Sequence, residues 1–148
     1  MIQIKVNYDE ALQRLGAKKG ELRTALFRAL SRSTSLARET VLDNIKNGAN
    51  KNLGWPPFAS STLKRKAARG RSASGLIDKG EMWSRVGEKV SQSDLVGEVF
   101  PGVDYHEFLE TGTSRMPARQ TFGPVPEQIG KLIEDIFSEE IRKGVSDD

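Results

Sequence analysis

Cysteine is absent from all 148 residues. That excludes disulfides, thiolate zinc sites and a cysteine nucleophile, and it fits folding in a reducing cytoplasm. Histidine occurs once, as His106, so a multi-histidine metal site cannot be built and a Ser-His-Asp triad would have no other base. His106 stands between Tyr105 and Glu107 without ligand spacing around it. No run of eighteen apolar residues exists, and the first residues, MIQIKVNYDE, lack both a basic n-region and a long hydrophobic stretch. A soluble chain without a signal peptide or membrane contact is expected. The segment GRSASG lacks the Gly-Lys-Ser/Thr ending of a phosphate loop, and no strand-glycine-helix unit surrounds it, which argues against nucleotide binding. Glu107 and Glu110 stand three residues apart, but a glycosidase needs carboxylates set across a cleft, and solvated charges are the better reading. The chain therefore nominates no catalytic, metal or cofactor residue, and it reads as a non-enzyme without a small-molecule substrate.

What is present fits one domain, residues 1–148, long enough for a real core. Apolar residues make up 36% and charged residues 29%, a modest core under much polar surface. The net charge is only +3, so the basic character is local. Ile2, Ile4 and Val6 alternate with polar neighbours as in a half-buried strand. From residue 9 to about 47 the apolar positions, among them Leu22, Leu26, Ala29, Leu30, Ala37, Val41 and Ile45, recur every three or four residues. That predicts helix, with Asp9 as N-cap, a break at Gly16 and Gly20, and Gly48 as the stop. Residues 47–61 read as a loop anchored by Trp55 and Phe58. One helical turn over 63–68, capped by Ser60 or Ser61, then gives way to a mobile RGRSASG stretch, so that about 49–75 forms a mobile basic loop. Leu76 to Val86 returns to the core with a turn at Gly80. Residues 83–90 and 95–100 predict a hairpin. Ile129, Leu132, Ile133, Ile136, Phe137 and Ile141 form the stripe of a final helix with Pro126 in its first turn, Gly144 as its end and a frayed tail over 144–148. The fold class is α+β: a long N-terminal helix and a C-terminal helix on a small antiparallel sheet, with an extended basic loop.

Two stretches carry more than fold. Residues 105–122, YHEFLETGTSRMPARQTF, begin with Tyr105, Phe108 and Leu109 at helical spacing in a half-buried turn closed by Gly112. They continue as an irregular exposed loop, because Pro117 disfavours helix at Met116 and removes a donor. Lys64, Arg65, Lys66, Arg69 and Arg71 place five cations in eight residues without an acid. Such a cluster can contact DNA phosphates without reading sequence; a solvated, flexible loop or a basic surface for an acidic protein partner is preferred to that reading. No aromatic is interleaved for base stacking.

The Tyr, acidic, Gly-Thr and Pro-Ala-Arg elements of 105–122 resemble the signature of phage virion-morphogenesis proteins, the tail-completion or neck proteins of Mu-like and lambdoid tailed phages. Residues 54–86, GWPPFASSTLKRKAARGRSASGLIDKGEMWSRV, are similar to that family's Trp-Pro, Ser-Thr-Leu-x-x-Lys and Leu-Ile-Asp-x-Gly elements, in the same order. The resemblance implies a structural protein of a tailed phage or prophage that acts in tail completion or head-tail joining. It would work as a ring, a hexamer being the expected form, with itself and other neck or tail proteins as partners and packaged DNA as a weak contact. Its place would be the host cytoplasm during assembly and then the head-tail junction or tail end of the virion. Glu110, Gly112, Thr113, Arg115, Met116, Pro117 and Arg119 are the interface candidates that follow, with Arg115 and Arg119 offering bidentate pairing. The alternative is a small sequence-nonspecific DNA-binding module using 64–71.

Overall fold

The computed structural model describes residues 1–15, 19–76 and 81–145. The chain runs β1 (Ile2–Lys5), α1 (Tyr8–Leu15), α2 (Lys19–Asn47), a 3-10 turn (Gly48–Asn50), α3 (Ser60–Ala68), α4 (Glu81–Arg85), β2 (Gly87–Ser91), β3 (Val96–Phe100), α5 (His106–Thr111) and α6 (Val125–Val145). The α+β architecture read from the sequence is the one observed. Three antiparallel strands stand in the order β1-β3-β2, and α2 packs across the sheet on one side and along α6 on the other.

The sheet is one-sided, as antiparallel sheets commonly are. Gly97 and Val99 of β3 are buried towards α2, while Glu98 points to the opposite face. There Glu98 accepts from Gln3 at 2.9 Å and pairs with Lys89 at 3.3 Å, each from its registered partner strand. The Gln3 amide, and after it the Lys89 ammonium, hold Glu98 below the ordinary carboxylate range. Gly97 lets the helix approach: a Cβ there would lie 2.0 Å from Thr34 Oγ1.

The 29 residues of α2 bury Leu22, Leu26 and Leu30 against Leu95, and further along Ala37, Val41 and Ile45 against Val99, Val125 and Ile129. Its buried face also carries Asn44. The Asn44 and Gln128 amides exchange hydrogen bonds at 2.8 and 3.0 Å, and Asn44 Nδ2 donates to the Thr121 carbonyl at 2.8 Å. This pairing fixes the register of α6 on α2. Asn44→Leu leaves the Thr121 carbonyl and the Gln128 amide without this partner, and is expected to cost about 2–3 kcal/mol in denaturant unfolding.

Several boundaries differ from the sequence reading. Asn7, not Asp9, caps α1, its Oδ1 accepting from Glu10 N–H at 3.1 Å. Residues 81–85 are helical, so the hairpin begins at Gly87 rather than at residue 83; Met82 and Val86 are both buried at i, i+4 spacing while Trp83 faces out. Leu132 lies off the apolar stripe of α6, half exposed, and the helix continues through Gly144 to Val145. The expected break at Gly16, the turn at Gly80 and residues 146–148 of the tail lie outside the described residues. Among those described, no helix is long and apolar enough to cross a membrane.

Candidate interaction groove

The helical turn expected at 63–68 within the basic loop is present and begins earlier, α3 running Ser60–Ala68 with Ala59 rather than Ser60 or Ser61 at its N-cap. The segment around it is tied to the core at several points. Ala49 N–H donates to Ser74 O at 2.9 Å, and Leu76 N–H to Ile45 O at 2.7 Å. Trp55 lies against Gly48, where any side chain would collide with its ring, and its Nε1 donates to Gln120 O at 2.9 Å. In the last turn of α3 the Lys66 side chain is buried, and Nζ donates to Gly75 O at 2.7 Å, closing the segment on itself.

Residues 105–122 fold as a short helix and a tight turn. Gly112 ends α5 at φ 75°, donating to Phe108 O at 2.8 Å. A Cβ at Gly112 would meet Ala118 N at 2.8 Å, so both the dihedral and the close return of the chain require glycine. Thr113 and Met116 exchange backbone hydrogen bonds at 2.7 and 3.3 Å, and Arg119 N–H returns to Leu109 O at 2.7 Å. Ser114 and Arg115 are thereby displayed at the tip of a closed turn rather than on an irregular loop. Tyr105 and Phe108 are more exposed than the helical spacing predicts, at 43% and 55%, and only Leu109 turns inward.

Two of the nominated interface residues point into the protein instead. Glu110 Oε1 accepts from Thr121 N–H at 2.6 Å, Thr121 Oγ1 at 2.8 Å and Phe122 N–H at 2.9 Å, and Oε2 accepts from Gly123 N–H at 3.2 Å. The carboxylate is an anion set in a ring of donors ahead of α6. Arg119 is buried, at 8% exposure. Its Nε and Nη2 donate to Pro56 O at 3.2 and 3.1 Å, Nη2 also donates to Pro57 O at 3.0 Å, and the guanidinium lies 4.5 Å from the Phe58 ring centroid. Burial lowers the Arg119 pKa. The reason for the inward turn is chemical: the two proline carbonyls sit in a segment without ladder partners, and Arg119 supplies a forked donor to both. Lys66 approaches the same Phe58 ring, at 5.3 Å.

These contacts bring the two signature stretches together. A groove of about 460 Å³ is bounded by Pro57, Phe58, Ala59 and Thr62, by Arg65 and Lys66 of α3, and by Leu76, Leu109, Arg115, Met116, Pro117 and Arg119. Four of these residues are cationic, and none of the described lining residues is acidic. Arg65 and Arg115 are exposed at its edge, while Lys66 and Arg119 form part of its wall from buried positions. Lys64, Arg69 and Arg71 are exposed outside it, as is Thr113 on the turn, while Pro117 is exposed on the groove wall. His106 packs edge-on to Phe122, with ring centroids 5.6 Å apart. Among the described residues no group of three His, Asp or Glu stands where it could hold a metal ion.

Asn44 and Gln128 were not nominated from the sequence as site or framework residues, whereas Phe58, read as a loop anchor, is one. A polar residue on an apolar helical stripe, as Asn44 is between Val41 and Ile45, is the signal that was present for the first.

An uncharacterized protein of Methanocaldococcus jannaschii, MJ0331, is 31% identical over 108 residues, covering 70% of this chain and 80% of the archaeal one. The chain belongs to the family of that protein. No family model matches the chain, and no solved structure matches it. The shared family adds no biochemical role, because the relative is itself uncharacterized.

Proposed function

We propose that this chain is a non-enzymatic assembly protein of a tailed phage or prophage, acting in tail completion or head-tail joining as a subunit of a ring, with a hexamer as the expected form. The resemblance of residues 54–86 and 105–122 to tail-completion and neck proteins supports the reading. The observation that carries it is the convergence of both stretches on one groove, with exposed Arg65 and Arg115 beside apolar walls from Phe58, Met116 and Pro117. Cations mixed with adaptable apolar surface favour a protein partner, since Met repacks readily and arginine pairs carboxylates in a fork. Such a subunit works by geometry: its partners are itself and other neck or tail proteins, and it moves from the host cytoplasm to the head-tail junction or tail end of the virion.

The test combines light scattering with particle yield. Arg115→Ala with Met116→Ser changes an exposed arginine and a half-buried methionine of the groove wall, so the melting curve is expected to stay within about 1 kcal/mol of the parent. Oligomers and co-complexes with neck or terminator proteins encoded by neighbouring genes are expected to weaken at least tenfold, and finished particles to be lost. Wild-type particle yield from the folded variant would remove the groove from assembly. Duplex DNA affinity falling steeply from low to moderate salt, with assembly untouched, would instead favour the DNA-binding module.

A further inference from the structure

Resting on the assembly reading, we propose that the groove receives the solvent face of α5 from a second copy of this chain, so that acidic and aromatic residues of one subunit enter the cationic, apolar groove of the next. The face in question carries Glu107 and Phe108, with Asp104 and Tyr105 just ahead of the helix. All four are exposed, and Phe108 and Tyr105 are among the large apolar side chains left most open to water. Two carboxylates and two rings within five residues match, in sign and in character, the two exposed guanidiniums and the Phe58, Met116 and Pro117 walls of the groove. Guanidinium to carboxylate and ring to methionine are the pairings that such a contact would use.

The occupant has to come from another molecule. Leu109 of α5 already forms part of the groove wall, and Arg119 N–H and Gly112 pin the end of that helix. Glu107 and Phe108 are not among the groove residues, so α5 presents one side to its own groove and a different side to water. A subunit with a groove and a separate insert makes heterologous contacts, and these close into a ring when the rotation allows.

The experiment uses full-length variants in which one half of the contact is removed. Arg65→Glu with Arg115→Glu disables the groove, and Glu107→Lys with Phe108→Ser disables the insert; all four positions are exposed, and circular dichroism checks that each variant folds. Each variant alone is expected to remain monomeric in sedimentation velocity at concentrations where the parent assembles. Mixed, they are expected to form a one-to-one complex that grows no further, because one intact groove and one intact insert remain. The charge-reversed groove is expected to weaken self-association at least tenfold, about 1.4 kcal/mol, with the parent contact loosening as salt rises. If both variants assemble like the parent, this interface is wrong while ring assembly stands. If the mixture stays monomeric although the parent assembles, the pairing of these two surfaces is wrong. A parent that remains monomeric to about 1 mM also overturns the pairing, and co-complex formation with neck proteins then decides the assembly reading separately. Loss of low-salt duplex binding in the groove variant, with self-association unchanged, would assign the groove to phosphate.

Discussion

Glu110→Ala is expected to destabilise the fold by about 3–5 kcal/mol, more than a typical substitution. One carboxylate serves three backbone N–H groups and a hydroxyl within residues 121–123. Thr121 and Phe122 are almost fully buried, so water cannot readily replace the lost acceptor, and each orphaned donor carries its desolvation cost. At this chain length the melting temperature should fall by roughly 10 °C. Glu110→Gln should recover less than half of the loss, because one oxygen is exchanged for an amide donor facing other donors. Glu107→Ala, on the exposed side of the same helix, should shift stability by no more than about 0.5 kcal/mol. A Glu110→Ala protein melting within about 2 °C of the parent would show that the loop ahead of α6 is held by other contacts.

Gly97→Ala is the second large effect, expected at about 2–3 kcal/mol. The added methyl would stand 2.0 Å from Thr34 Oγ1 and 3.2 Å from Thr34 Cβ. Thr34 cannot swing aside cheaply: it is fully buried, branched at Cβ, and its hydroxyl donates to Leu30 O at 2.8 Å. Either α2 lifts from the sheet or the strand shifts, and both disturb Leu30 and Val99. The main obstruction is Thr34, with Leu30 Cδ1 next at 3.3 Å, so Thr34→Ala should act as a partner change. The double variant is expected to recover at least half of the Gly97→Ala loss, a coupling of about 1–2 kcal/mol in a double-mutant cycle followed by denaturant unfolding. Simple additivity of the two costs would place the conflict elsewhere.

The elements with a long apolar period were legible. The stripe of α2 and most of that of α6 follow from the recurrence of Leu, Val and Ile, and the alternation of Ile2 and Ile4 gave β1. Short elements were harder. Residues 82–86 hold one buried i, i+4 pair, Met82 and Val86, which a strand pattern also accommodates, and only packing decides between them. The groove was half legible. Its two stretches could be singled out by composition and resemblance, but their union depends on contacts spanning 62 and 63 residues, from Arg119 to the carbonyls of Pro57 and Pro56. A carbonyl has no residue signature, so nothing in PARQ announces that Arg119 turns inward while Arg115 stays out. Lys66 escaped for the same reason, since its acceptor is the Gly75 carbonyl. Glu110 was singled out through its place before the Gly-Thr turn, although its partners are main-chain donors that composition cannot reveal.

The pairing of β1 with β3 has a consequence in time. Ile2 lies opposite Val99, and α2 finds its principal helical neighbour only in α6, which ends at Val145. During translation the first strand has no place to dock until about a hundred residues have followed it, and the core along α2 stays open on one side for longer still. Sequence-distant pairing of this kind delays folding until late in synthesis. At about 5–20 residues per second roughly 7–29 s pass before α6 is complete at Val145. The walls of the groove are anchored by the loop that leads into that helix, so a nascent chain has no finished groove until residues 119–123 have been made.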